Sequence, residues 1–513
     1  MMELVKKHIH MNRRSGSVAS QMTLDDDFNV PDTMEDVEQL ILERGEIQIE
    51  SAKNQGEKVE VRGRLDFRLL YRTPGGQVMT LAGNLPFEER VNMPGLLEND
   101  HIQAGWELDD LKLGIINSRK LNVKALVTLK LQAETLFDAE AAEDARFDGD
   151  VETLKKTIAV AALSARRKDT FRVREVLSLS GNKPDIDTLL WQDIRLRGVN
   201  TRPLDGRIRL DGELMVFAIY SGEAGQVPVQ CLEETVPFSG EVELEPSVEE
   251  MIPFITVRLV HKELEVNPDS DGEMRELSVD AVMELDMRLY EEKELEILND
   301  LYALDRELDM DTGEACFDQI AARNQLKTRL QEKVDLPVGQ RILQICHSSA
   351  RIQIERTEPA DNGIQIEGVL HISFLYVKAD DTIPFDTWQG MIPFSYLLEG
   401  NETSADMVYG LTSAVEQLSI GLLGSDEIEI KAVLAFNSFL KKPVRIMNIE
   451  EVEFAPIDME EVERRPGITG YIVREGDALW DLAKRYSTTV EGIMEVNGLE
   501  KEEIKPGDKI LIF

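Results

Sequence analysis

Much of this chain alternates apolar and polar residues with a period of two, as at Val59/Val61 and Ile208/Leu210. That period predicts strands with one buried face and one wet face. Three such runs are copies of one another. GRLDFRLLY (Gly63–Tyr71), GELMVFAIY (Gly212–Tyr220) and GVLHISFLY (Gly368–Tyr376) each place a glycine eight residues before a tyrosine. Each run alternates at its start and turns fully apolar at its end. A polar, hairpin-like segment follows, then Leu85-Pro86-Phe87, Val236-Pro237-Phe238 or Ile392-Pro393-Phe394. A further strand recurs later in each copy, at Leu121–Ala125, Leu277–Ala281 and Ile428–Ala432. The leading glycines are 149 and 156 residues apart, so the repeat occupies most of the chain.

These patterns predict a mainly β protein with some helix, built of three repeated β-sandwich or barrel-like modules. Each module is expected to open on a short helix, near Pro31, Pro184 or Pro337. Module 1 is expected at 23–140, module 2 at 141–310 and module 3 at 311–459, after a flexible tail at 1–22. The stretches 138–170 and 291–333 are rich in charge and alanine, with helical spacing in Val151–Arg167 and Glu314–Gln331. They read as helical connectors ahead of modules 2 and 3. The repeated tyrosines and phenylalanines are expected in module cores, with the tyrosine hydroxyls at the rim. The repeated glycine suits a bulge or a close approach of backbones, and the proline before phenylalanine suits an edge strand.

A charged, Pro/Gly-ended linker at 460–468 leads to a different pattern at 469–513. Tyr471-Ile472-Val473 is a short strand, and Leu479, Leu482, Ala483 and Tyr486 share one helical face. Thr488-Thr489 supply N-cap hydroxyls for a second helix from Val490, ended by Asn497-Gly498. Lys509–Phe513 is a closing strand after the Pro506-Gly507-Asp508 turn. This βααβ string resembles the LysM module, a fold that reads N-acetylglucosamine polymers and, in some proteins, other proteins. The resemblance implies a shallow groove formed by Gly476, Asp477, Ala478 and Leu479 on one side and Val496, Asn497, Gly498 and Leu499 on the other. Trp480 and Ala483 read as core of the first helix. Asp477 is placed both to line the groove and to cap that helix. Ala478 stands where the family usually has Thr or Ser, and Gly498 where it often has Pro. The first change removes a hydroxyl that a sugar could use, and both weaken the glycan reading.

Three repeats followed by a LysM module resemble the SPOCS-domain proteins of endospore-forming Clostridia, the SipL-type spore coat morphogenetic proteins. The resemblance implies a protein of the mother cell, at the forespore surface. There its LysM domain would bind the ATP-hydrolysing coat-basement scaffold and drive coat layers around the forespore.

Charge narrows the partners. The formal net charge is -40 and the pI about 4.6, which disfavours nucleic acid and anionic lipid. The unit at 469–513 carries six basic and nine acidic residues, a mildly acidic surface that suits a protein edge at least as well as an anionic polymer. Only the N-terminal stretch with Lys6, Lys7, Arg13 and Arg14 is locally basic. Cys231, Cys316 and Cys346 are odd in number and far apart, so neither a disulfide framework nor a zinc site is expected. The six histidines pair only as His8-x-His10, and no catalytic motif is present, so neither an enzyme nor a cofactor or metal is expected. No stretch is long and apolar enough for an integral membrane segment, and no signal peptide is visible. The leading expectation is a non-enzymatic scaffold or adaptor. The alternatives are a peptidoglycan- or chitin-oligomer-binding wall protein, whose modules are spacers, and a wall hydrolase with an unrecognised site.

Overall fold

A computed structural model describes residues 3–146, 150–222, 229–336, 342–378, 385–399, 407–424, 427–455 and 467–513. Three units of six antiparallel strands precede a small α/β domain. Module 1 comprises β1 (Glu3–Asn29), β2 (Gln39–Asn54), β3 (Lys58–Arg72), β4 (Val78–Asn92), β5 (His101–Asn117) and β6 (Lys120–Arg146). Module 2 comprises β7 (Val151–Ser178), β8 (Ile186–Leu204), β9 (Arg207–Gly222), β10 (Gln230–Glu243), β11 (Ile252–Pro268) and β12 (Met274–Ala303). Module 3 comprises β13 (Glu307–Asp335), β14 (Ile342–Ala360), β15 (Gly363–Lys378), β16 (Phe385–Glu399), β17 (Val408–Leu422) and β18 (Glu427–Ala455). In module 1 the sheet β2-β3-β4 faces the sheet β1-β6-β5 over one apolar core, and modules 2 and 3 repeat that order. Each is a sandwich of two three-stranded sheets.

The repeat residues hold this sandwich together. Gly63, Gly212 and Gly368 lie directly opposite Phe87, Phe238 and Phe394 on the neighbouring strand. A Cβ on any of the three glycines would meet that phenylalanine ring at 2.7–2.8 Å, so the ring occupies the space the missing side chain leaves. The adjacent Pro86, Pro237 and Pro393 sit on β4, β10 and β16, which are edge strands, where a missing N–H breaks no ladder. Tyr71, Tyr220 and Tyr376 are buried, and the hydroxyls of the first two donate to Glu35 O and Pro184 O.

Among the described residues, the stretches expected to be a flexible tail and helical connectors are strands, and no helix opens module 1 or module 2. Residues 3–29 form β1, paired along its whole length with β6 from Glu3↔Arg146 to Asn29↔Lys120. Its local positive charge is complementary to its partner: Lys7 bonds Glu143 at 3.1 Å and His10 approaches Asp138 at 2.9 Å. The stretches 151–178 and 274–303 pair as β7 and β12, and β13 pairs with β18 in the same way. The first and last strands of every module run past the sandwich as a two-stranded ribbon, and the three ribbons pack into one stem. Ile9, Met11, Ala139, Ile158, Leu295, Phe317 and Ile446, drawn from all three ribbons, share its core. Where a stretch is buried throughout, as at Val160–Leu163, strict alternation is lost, and alanine lets ribbons approach closely, so it imitates a helix in sequence. Near Pro31 and Pro184 the chain turns without forming a helix. Pro337 lies outside the described residues, as does all but the end of the expected 460–468 linker.

Asn12 of β1 ties the ribbons together. Its Oδ1 accepts from Tyr290 of module 2 at 3.0 Å, its carbonyl accepts from Lys441 of module 3 at 2.8 Å, and its Nδ2 donates to Glu134. Lys441 in turn bonds Asp318 at 2.8 Å, and Arg166 and Arg288 reach Glu134. Every ribbon contributes to this buried network.

At the other end the modules meet about an axis. Leu70, Ile219 and Leu375, each one residue before the repeated tyrosine, fall in a single apolar cluster. Equivalent residues of three copies meeting at one place put the copies around an approximate threefold axis. The chemistry beside the axis is not threefold. Arg44, Asp193 and Ser349 occupy equivalent register positions, and Asp193 pairs with Arg44 and with Arg195 at 2.6 Å. Burial alone would raise the Asp193 carboxyl, but Arg195 and Arg44 hold it well below the usual range. His347 of module 3 is gripped by module 2. It stacks on Phe217 with ring centroids 4.1 Å apart, its Nδ1 meets Glu233 at 2.8 Å, and its Nε2 lies 3.4 Å from Asp193.

Burial opposes the charge on His347, but the Asp193 and Glu233 carboxylates outweigh it and hold its pKa above the ordinary 6.5. The stability carried by the protonated ring is therefore complete below the unfolded value of about 6.5 and is lost as pH rises through the higher folded value. Thermal unfolding of the wild type should lose midpoint relative to His347→Gln between about pH 6 and pH 8. Parallel pH profiles for the two proteins would refute this role.

Candidate functional site

The C-terminal domain runs β19 (Thr469–Ile472), α1 (Leu479–Tyr486), α2 (Val490–Asn497) and β20 (Lys509–Ile512), with β19 and β20 paired antiparallel. Both helices are too short to persist alone, and their apolar faces supply the core: Leu479, Leu482, Ala483 and Ile493 against Val473, Ile510 and Ile512. Thr489 caps α2 by accepting from Gly492 N at 2.9 Å, and Gly498 closes it at φ 64°. α1 begins at Ala478 with no side-chain cap.

The eight candidate groove residues divide sharply. Gly476, Ala478, Val496 and Gly498 are exposed, Asp477, Asn497 and Leu499 half-buried, and Leu479 is buried in the core. The two polar side chains are engaged internally. Asp477 does not cap α1. Its Oδ2 accepts from Arg474 N at 2.8 Å and from the Tyr471 hydroxyl at 2.9 Å, which fixes the turn ahead of the helix. These bonds hold its pKa below the usual carboxylate value. Asn497 bonds the closing strand as another backbone would: Nδ2 donates to Leu511 O and Oδ1 accepts from Leu511 N, both at 2.8 Å. Its Nδ2 also donates to Ile493 O. What these candidate residues offer outward is backbone and apolar surface. The outer face of the same small sheet adds Ile472 and Leu511, with Ile468 and Phe513 exposed at its ends.

A contact not legible in the sequence fixes this domain to the stem. Trp480 Nε1 donates to Asp300 Oδ2 at 2.7 Å, and Lys484 Nζ donates to Asp300 Oδ1 at 2.6 Å. The Tyr302 ring enters the domain's core edge-on to Trp480, at 4.9 Å between centroids, and its hydroxyl donates to Thr488 O at 2.8 Å. Trp480 is thus a packing residue, as expected, but part of its packing lies between domains. Asp300 and Tyr302 sit at the end of β12, inside the stretch that reads as a helical connector, and no spacing there marks them. Sequence reasoning also missed a cavity of about 1070 Å³ where the modules converge, lined by Arg44, Arg195, Lys262 and Arg351 among others.

Comparison with known families agrees with these units. The model described as SipL, SPOCS domain matches residues 36–116, 185–267 and 341–423, and that described as LysM domain matches 471–513. Each SPOCS match spans the four inner strands of a module and leaves out the long outer strands of the stem. A search of the curated proteins and of the solved structures finds no significant match. The chain is a SPOCS- and LysM-domain protein of the SipL-like description. Its domains fit a sporulation-related protein with a peptidoglycan-binding-type domain, and both families are non-catalytic binding domains. No helix among the described residues is long and apolar enough to cross a membrane.

These contacts separate two variants. Asn497→Ala removes three internal hydrogen bonds and should destabilise the LysM domain by about 2 kcal/mol. Asp300→Ala should leave its fold intact but release it from the stem, because Trp480 and Lys484 lose a shared acceptor. Hydrogen exchange reports both: faster exchange across 471–513 for the first, and faster exchange confined to the docking surface for the second. Unchanged exchange around Thr488 in Asp300→Ala would show that the contact does not hold the domain.

Proposed function

We propose that the protein is a non-enzymatic scaffold or adaptor in spore coat assembly, acting in the mother cell at the forespore surface. Its LysM domain docks to the ATP-hydrolysing coat-basement scaffold, and the three SPOCS modules form the body that carries further contacts. The observation that supports a protein partner is the state of the groove. Asp477 Oδ2 and the Asn497 amide are taken up by internal hydrogen bonds, and Ala478 offers no hydroxyl, which leaves little side-chain chemistry for a sugar. Val496 is exposed there, and Ile472 and Leu511 add exposed apolar surface to the same small domain, which suits the core of a protein interface. Gly476, Ala478, Val496 and Gly498 are the groove positions proposed to meet the partner.

The LysM match itself favours a second reading, a domain that binds N-acetylglucosamine polymers through exposed backbone at Gly476 and Gly498. One experiment addresses both. Full-length protein is used to capture partners from sporulating cells, and is titrated in parallel with N-acetylglucosamine oligomers. Recovery of the coat-basement ATPase, lost on Val496→Glu with the fold unchanged, is the expected result. Oligomer binding should be weaker than a Kd of about 1 mM, less than about 4 kcal/mol of binding free energy. Tight, saturable oligomer binding with no ATPase recovered would replace the adaptor with the wall-binding reading.

A further inference from the structure

Register shifts near the starts of β2, β8 and β14 place Ile41, Leu190 and Cys346 at equivalent bulge positions. All three point into the axial cluster. On the neighbouring edge strands, Thr80, Cys231 and Thr387 occupy equivalent positions, opposite Leu70, Ile219 and Leu375. Around the axis, β4 packs on β8 and β16 packs on β2, so the edge strand of one module meets the bulged strand of the next. The equivalent pairs are Thr80 with Leu190, Thr387 with Ile41, and Cys231 with Cys346. A protein with three cysteines in 513 residues has placed two of them, from different modules, at the two ends of one symmetry-related contact. Both side chains pack on the same axial cluster and are half-buried. The flanking Glu233–His347 contact at 2.8 Å holds the same two strands together.

We propose that Cys231 and Cys346 form a reversible disulfide that clamps module 2 to module 3 when the protein meets a low-molecular-weight disulfide. The two thiols begin unequal. The neighbouring Cys231 and the positive charge of His347 and Lys183 draw the Cys346 thiol below its ordinary value, against its burial, whereas the neighbouring Cys346 and burial push Cys231 up. Cys346 is therefore the attacking thiolate. With glutathione disulfide, Cys346 attacks one sulfur, the glutathione S–S bond breaks and one glutathione thiolate leaves. Cys231 then gives up its proton and attacks the Cys346 sulfur of the mixed disulfide, expelling the second glutathione. The protein loses two protons and two electrons, and the oxidant leaves as two thiols.

Purified full-length protein treated with glutathione disulfide, then digested and mapped without reduction, tests the clamp. A peptide linking Cys231 to Cys346 should form, vanish in Cys231→Ser and Cys346→Ser, persist in Cys316→Ser and disappear with dithiothreitol. Oxidation should raise the unfolding midpoint by about 5 °C, since the bond closes a long loop across a module contact. Glutathione should accumulate on Cys346 in Cys231→Ser at least tenfold faster than on Cys231 in Cys346→Ser. Separate adducts on the wild type without the linked peptide, or Cys316-linked dimers alone, would overturn the proposal. Equal adduct rates in the two serine variants would overturn the assignment of Cys346 as attacker. Serine variants with reduced-state midpoints matching the wild type establish that the fold survives.

Discussion

Leu70, Ile219 and Leu375 each have a face that no single module can cover. Their strands alternate from Gly63, Gly212 and Gly368 onward, with one side on the module's own core, and then become apolar on both sides. A doubly apolar strand end left in water carries a cost on the order of 1.5–3 kcal/mol for each large side chain. Three copies closing around an axis remove that cost at once, each covering its neighbours. The stem follows from the same arrangement, because modules held at one end bring their ribbons alongside one another at the other. Alanines at the ribbon contacts, and the Asn12 network with Tyr290, Lys441 and Glu134, then fix which ribbon meets which.

Fusion of the copies into one chain lets equivalent positions diverge. A trimer of identical chains would place three like charges at the Arg44 position. Here the positions are Arg44, Asp193 and Ser349, and like charge is replaced by an ion pair. The Leu42, Trp191 and His347 positions have diverged similarly, so module 3 is held by module 2 through a histidine that the others lack. The LysM domain breaks the symmetry further, since it rests on Asp300 and Tyr302 of the second module's ribbon. Its docking uses the indole of Trp480 and leaves Val496 and Leu511 exposed.

Much of this was legible because the signals are local. The Gly–Phe pair, the proline on the edge strand and the switch from alternating to fully apolar residues are each written within a short stretch of sequence. The LysM domain was equally plain, since its caps and turns are local: Thr489 and Gly498 do what their residue types predict. The stem was not legible. Stretches buried throughout, such as the alanine-rich Val160–Leu163, lose alternation and fit a helical period equally well. β1 looked like a tail because its basic residues find their partners at Asp138 and Glu143, more than a hundred residues away. Of the residues read as a groove, Gly476, Ala478, Val496 and Gly498 are exposed and Leu479 is buried, and the internal roles of Asp477 and Asn497 were not legible. Whether a polar side chain faces a ligand or its own backbone depends on where Arg474 N and Leu511 lie in space.

The central claim is that three modules close into one body with a shared stem, to which the LysM domain is fixed. Small-angle X-ray scattering from the monomeric chain tests it most directly. The account predicts a curve fitted by one rigid body of this arrangement, with no population of separated modules. A larger radius of gyration, fitted by four globular units on flexible joints, would contradict it.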